Sequence, residues 1–233
     1  MNLISRTNKQ TKIVKTIILF FFLFFSFQIS VRAAVNCSSL TNSGTVTISW
    51  TDSYCFFGQP GNASNTSGAA DDATYTNNGT ISLRYRNVRG FYNGFDNTKM
   101  INNGTIESNA QHRYGYQSAF HDSGDNGESI NNGTINLDYG ASGGNKNNGA
   151  FRFNVGSGQS FTNSSGASIT VIGLDNNPGG MISSDNTTVT NNGTFTIGGS
   201  GTSQKAIQYY SGADGQTLIN TGTITQSGST DAI

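Results

Sequence analysis

The sequence predicts an all-β chain wound as a parallel β-helix, a β-solenoid of about six coils. Three observations predict it. A turn phrase, Asn-Asn-Gly-Thr-Ile, recurs through the chain; a second phrase runs in phase with it; and apolar residues next to both alternate with polar ones.

The turn phrase appears at Asn77-Asn78-Gly79, Asn102-Asn103-Gly104, Asn131-Asn132-Gly133 and Asn191-Asn192-Gly193, each followed by Thr and an apolar residue. Asn42-Ser43-Gly44 and Asn220-Thr221-Gly222 are close variants, and Asn163-Ser164-Ser165-Gly166 is a looser one. Successive glycines lie 25 to 35 residues apart. A sandwich would need turn signals about every 8–12 residues with varied chemistry, and isolated Asn-Gly hairpins would not share one period.

Each residue of the phrase has a physical role. An apolar residue precedes the first Asn at Ile101, Ile130 and Ile219, and β-branched residues follow the Gly, so a strand enters and a strand leaves. Asn and Gly tolerate positive φ, which predicts a sharp corner at that pair. Stacking such corners predicts a ladder of amide hydrogen bonds between asparagine side chains of successive coils.

The second phrase is a small residue followed by an apolar one: Gly90-Phe91, Ala119-Phe120, Ala150-Phe151, Gly180-Met181, Ala206-Ile207 and Ala232-Ile233. Its distance to the next Asn varies little, while the distance from the preceding Gly absorbs insertions. One side of each coil is therefore tight and another carries loops. The expected inward rows are Ile81, Leu83, Ile106, Ile135, Leu137, Ile169, Val171, Phe195, Ile197 and Ile224, and then Phe91, Phe120, Phe151, Met181 and Ile207.

Three segments follow. Residues 1–33 read as a cleavable signal peptide: Arg6, Lys9, Lys12 and Lys15, then an apolar run from Ile17 to Phe27, then Val31-Arg32-Ala33 before a cleavage point at Ala34. That run is about 16 Å of helix, short of the roughly 30 Å hydrocarbon core. Residues 34–60 are expected to form an N-terminal cap, and 61–233 the repeats, open at the C-terminal end. An exported chain enters an oxidising compartment, so Cys37 and Cys55 are expected to form a disulfide.

Composition narrows function by exclusion. Net charge is zero with only 11% charged residues, so nothing marks the chain for nucleic acid or an anionic membrane. The 15 Phe and 9 Tyr exceed what a disordered linker holds. Charge collects once, at His112-Arg113, His121-Asp122, Asp125 and Glu128, where catalytic carboxylates would be sought; solvated loop residues are the expected reading. Asp122 to Glu128 faintly suggests a calcium loop but lacks regular acidic spacing and occurs once. No metal, cofactor or obligate small molecule is expected, and the chain is expected not to be an enzyme. The sequons at Asn78, Asn103, Asn132 and Asn192 are by-products of the turn phrase. Tyr85, Phe91, Tyr92, Phe95, Tyr114, Tyr116, Tyr209 and Tyr210 fall in or near the variable stretches, suited either to contacts with sugars and proteins or to packing under loops.

Signal segment, Asn-Asn-Gly-Thr-Ile repeats, low charge and few cysteines together resemble bacterial autotransporter passenger domains and related repeat-rich surface proteins, over residues 42–233. The resemblance implies a right-handed β-helix displayed outside a Gram-negative cell, in an adhesive or structural role, with a host or cell-surface glycan or protein as partner. A polysaccharide-degrading β-helix enzyme, a lyase or hydrolase, is the alternative. Such passengers end in a membrane β-barrel, and no run here has the alternating strands of about ten residues that a barrel needs. The sequence stops on Ala232-Ile233, inside a coil, so it is expected to be the N-terminal piece of a longer protein or a truncated reading frame, with membrane attachment only through the missing barrel.

Overall fold

Four-residue alternations such as Thr80-Ile81-Ser82-Leu83 are too short to bury an apolar face alone, so each strand depends on a copy of itself one coil away. The structure, a computed structural model, describes residues 35–49, 53–85, 87–108, 117–143, 149–174, 178–198, 205–210 and 212–227. The signal segment 1–33, His112, Arg113, Tyr114, Tyr116, Ala232 and Ile233 lie outside them.

The fold is a parallel β-solenoid with three faces. Face I stacks Thr41–Asn42, Thr74–Asn77, Lys99–Asn102, Glu128–Asn131, Ser160–Asn163, Thr188–Asn191 and Thr217–Asn220. Face II stacks the strands leaving the turn: Thr45–Ile48, Thr80–Leu83, Thr105–Ser108, Thr134–Gly143, Ser168–Leu174, Thr194–Gly198 and Thr223–Ser227. Face III stacks Tyr54–Gly58, Val88–Asn93, Gln117–Asp122, Gly149–Phe153, Pro178–Ile182 and Lys205–Tyr209. Among the described residues two faces thus hold seven strands and the third six, against an expectation of about six coils. Residues 41–58 already give one strand to each face.

Register follows the phrase, and insertions are pushed into the loops. Asn77 pairs with Asn102, Asn102 with Asn131, Asn131 with Asn163, and so on to Asn220. Face II puts Ile81, Ile106, Ile135, Ile169 and Phe195 in one inward row, all buried. Ile224, in the last coil, is only partly buried. On face III, Phe56, Phe91 and Phe120 stack as parallel rings with centroids 4.7 and 4.9 Å apart, and Phe151 stacks on Phe161 of face I at 4.1 Å. Large rings repeated at strand spacing fill the interior without voids.

The second phrase needs one correction. Phe151 pairs with Gly180, not Met181, so the aligned copy is Gly179-Gly180. A Cβ on Gly180 would lie 2.0 Å from Phe151 Cζ, so the Phe151 ring occupies the room that the missing side chain leaves. Met181 pairs with Arg152 and Gln208, outside the row of Phe151, yet it is buried as expected.

The turn is also built differently from expectation. None of Gly79, Gly104, Gly133, Gly193 or Gly222 has positive φ. Their glycine is required by stacking: a Cβ on Gly79 would fall 2.0 Å from Gly44 O, and one on Gly104 2.0 Å from Gly79 O. The looser copy keeps the expected conformation, with Gly166 at φ 82°, and positive φ also recurs at the corner between faces III and I, at Asp72, Asn97, Asn126, Gly158, Asn186 and Gly215.

Cys37 and Cys55 form a disulfide with Cα atoms 4.7 Å apart. Cys37 N also donates to Cys55 O at 2.9 Å, and Val35 bridges Tyr54 in parallel. The link fastens residues 35–37 along the first strand of face III, covering its open edge.

Candidate functional site

At each second phrase two consecutive residues face the interior; a Cβ on Gly179, for example, would stand 2.5 Å from Ile197 Cδ1. The residues flanking the pair are then both free to face out. On face III this gives one column of Phe57, Tyr92, His121, Arg152, Met181 and Gln208, and Tyr54 beside Arg89 on the other flank.

These columns line an open cleft of about 660 Å³, walled by Tyr54, Arg89, Tyr92, His121 and Arg152 and rimmed by Gln59, Pro60, Ser123, Asn154 and Val155. The Arg89 guanidinium carbon sits 5.4 Å from the Tyr54 ring centroid and 5.5 Å from that of Tyr92, and its Nη1 donates to Tyr54 Oη at 3.2 Å. Tyr92 is stacked on Phe57, and its ring centroid is 4.9 Å from the His121 imidazole. Arg152 Nη2 donates to Asn154 Oδ1 at 2.8 Å. Val155, 59% exposed, is an apolar lip at the rim.

His121 is buried, and burial first, then the positive charges of Arg89 and Arg152, hold its pKa well below the usual histidine range. The imidazole is neutral, and its Nδ1 is buried without a hydrogen-bond partner. The site thus offers two guanidinium groups and aromatic ring faces, a lining suited to polar ligands that carry a ring.

Of the charged cluster read from the sequence, the described members His121, Asp122, Asp125 and Glu128 do not converge. His121 lines the cleft, while Asp122 turns inward at the corner. There Asp122 Oδ1 accepts from Asn93 Nδ2 at 2.8 Å and from Gly124 N at 3.2 Å, whereas Oδ2 is buried without a partner. Burial pushes the Asp122 carboxyl up to about 6. Asp125 is exposed and accepts from Ser157 N at 2.9 Å; Glu128 pairs with Lys99 on face I at 2.5 Å. The acidic groups from Asp122 to Glu128 therefore point to three different surroundings.

The turn asparagines form two ladders. Along the inner one, Nδ2 of Asn42, Asn77, Asn102, Asn131, Asn163 and Asn191 each donates to Oδ1 of the next, at 2.7–2.9 Å, ending on Asn220. Asn42 and Asn163, from the looser copies, are full members. The outer ladder runs in the opposite sense: Asn103 donates to Asn78 and Asn132 to Asn103, while Ser164 and Thr221 donate to Asn132 and Asn192. The sequon asparagines are thus exposed and joined to their neighbours along the axis.

Among the aromatic candidates, Tyr92 lines the cleft. Phe91 is not exposed but lies in the core, because the second phrase turns it inward. Tyr85 and Tyr209 pack partly buried against the core, and Phe95 and Tyr210 are half-buried.

Sequence reasoning missed Tyr54, Arg89 and Arg152, although a signal was present. Tyr92, His121 and Arg152 each follow the apolar residue of the second phrase directly, and Arg89 directly precedes it. It also missed an exposed column of acids at the corner between faces III and I. Asp96 N donates to Asp71 Oδ1, Asp125 N to Asp96 Oδ1, and Asp214 N to Asp185 Oδ1, all at 2.9–3.1 Å.

No family model matches the chain, and neither the curated proteins nor the solved structures give a match.

Proposed function

We propose that this chain is an exported, surface-displayed repeat protein, non-enzymatic and of autotransporter-passenger type, that binds a glycan in the cleft of face III. The observation that carries the reading is the cleft itself, in which Arg89, Tyr92, His121 and Arg152 are held at fixed spacing by the parallel register of a rigid sheet. Signal segment and disulfide support export to an oxidising compartment. The dispersal of His121, Asp122, Asp125 and Glu128 supports binding over hydrolysis or elimination, both of which need converging acid and base groups.

A glycan array probed with purified residues 34–233 tests this reading. Binding to a defined set of saccharides is expected, with loss of signal in Tyr92→Ala. Silence across the array, or signal untouched by Tyr92→Ala, would contradict it.

A further inference from the structure

Face II carries a regular surface of its own. Each of its strands opens on a hydroxyl residue, and the register stacks them, from Thr45 through Thr80, Thr105 and Thr134 to Ser168, Thr194 and Thr223. Two residues further along each strand comes a second outward column. In three consecutive coils that column is hydroxyl as well, at Thr170, Thr196 and Thr225. Between the two columns Ile169, Phe195 and Ile224 turn inward against the core. Ser168, Thr170, Thr194, Thr196, Thr223 and Thr225 all reach solvent.

Their spacing follows from sheet geometry. Coils repeat at about 4.8 Å and residues two apart in a strand at about 6.6 Å, so these side chains mark a rectangular net. The prism face of hexagonal ice repeats its oxygen atoms on a rectangular net of similar dimensions. Threonine also stiffens the net, because its β-branched side chain keeps few χ1 states and has little freedom left to lose on binding.

The chemistry of the net is uniform. Ser168 Oγ donates to Thr134 Oγ1 at 3.4 Å along the axis. The five threonine hydroxyls form no hydrogen bond among the described residues, so each is free to hold a water oxygen. No charge and no aromatic ring stands within the net. The Arg84–Glu107 pair lies two coils away from Thr170, by way of Asn136. A crystalline polysaccharide would be gripped by flat aromatic rings, and a polyanion by cations. An uncharged net of hydroxyl and methyl groups suits ordered water instead.

We propose that face II is an ice-binding surface, on which the hydroxyls from Ser168 to Thr225 take the place of water in the prism plane of ice. A single hydroxyl–water contact is weak, but on a rigid net one placed group brings the next into register. The surface shares no residue with the cleft of face III, and it gives the chain a second, independent partner.

The test is the gap between the melting and freezing points of a single ice crystal in a solution of residues 34–233. Inhibition of ice recrystallisation is the second readout. Faceted crystals are expected, with a gap that widens as protein concentration rises. Thr196→Tyr lifts a ring out of the middle of the net and is expected to reduce both effects about tenfold. Thr190→Tyr, outward on face I, is expected to leave both unchanged. Should Thr196→Tyr lose stability in a thermal melt, the wild-type protein still decides the matter.

Rounded crystals, with no gap beyond that of serum albumin at equal concentration, would overturn the proposal. Equal losses in Thr196→Tyr and Thr190→Tyr would overturn it as well. Adsorption to microcrystalline cellulose with no effect on ice would overturn it in favour of a polysaccharide surface.

Discussion

The carbonyl oxygen of Gly79 lies 2.0 Å from the point where a Cβ on Gly104 would stand. Each turn rests directly on the turn below it, and glycine there is a matter of axial contact. Gly104→Ala must therefore push two coils apart, at a cost of about 3 kcal/mol. Gly44, in the first turn, has nothing within 4 Å of its Cβ position. Gly44→Ala is expected to leave stability within about 0.5 kcal/mol. Urea denaturation of the two variants checks the contrast, and equal effects would contradict it.

Asn131 sits mid-ladder, accepting from Asn102 and donating to Asn163 while also bonding Gly133 O within its own turn. Asn131→Asp keeps the shape but sets an oxygen against Asn163 Oδ1 and brings a charge to a buried position. A loss of about 3 kcal/mol is expected. The exposed Asn132→Asp is expected to cost less than about 1 kcal/mol. Thermal melts of both proteins decide this, and a silent Asn131→Asp would remove the ladder from the account of stability.

Asp122 takes the place of an asparagine at the other corner. Asn93 bonds its own turn at Phe95 O and donates onward to Asp122, whose second oxygen has no partner. Burial raises its carboxyl from 3.8 to about 6. A raised folded-state pKa means stability that is fully present below pH 3.8 and lost as pH rises through 6, about 3 kcal/mol in order of magnitude. Asp122→Asn removes that dependence, so it is expected to be more stable than the parent at pH 7.5 and to lose the advantage near pH 4. His121, whose pKa is lowered, gains stability with rising pH over an overlapping window that ends near 6.5. The difference between the two proteins, rather than either curve alone, isolates Asp122. A pH-independent difference would contradict the assignment.

The Cys37–Cys55 link closes a loop of 18 residues beside the first strand of face III. Cys37→Ser with Cys55→Ser is expected to cost about 3 kcal/mol in the chain-entropy treatment. Hydrogen exchange should localise the loss to Tyr54–Gly58 rather than to Lys205–Tyr209. Uniform loss through the stack would contradict a local fastening role.

Much of the fold was legible because Asn-Asn-Gly-Thr-Ile sets period, register and inward row together. The inward row through Ile81 follows from alternation alone, whereas the row through Phe91 breaks it, because Gly90 and Phe91 both face inward. What misled was local. The glycine of the turn looked like a positive-φ residue because sequence shows the turn but not the coil stacked on it. Gly180-Met181 looked like a second phrase because nothing in the letters shows that the Phe151 ring fills the space over Gly180. The cleft was half legible: His121 and Tyr92 stood out by type. Arg89 and Arg152 lie 63 positions apart in sequence and reach one cleft only through the register of face III.

The central claim is that face III carries the binding site, and a crystal structure of residues 34–233 soaked with the saccharide that binds best on the glycan array tests it most directly. The account predicts one sugar unit in the cleft against Tyr92. The same saccharide bound at another face or on a loop tip, with the cleft left to solvent, would contradict it.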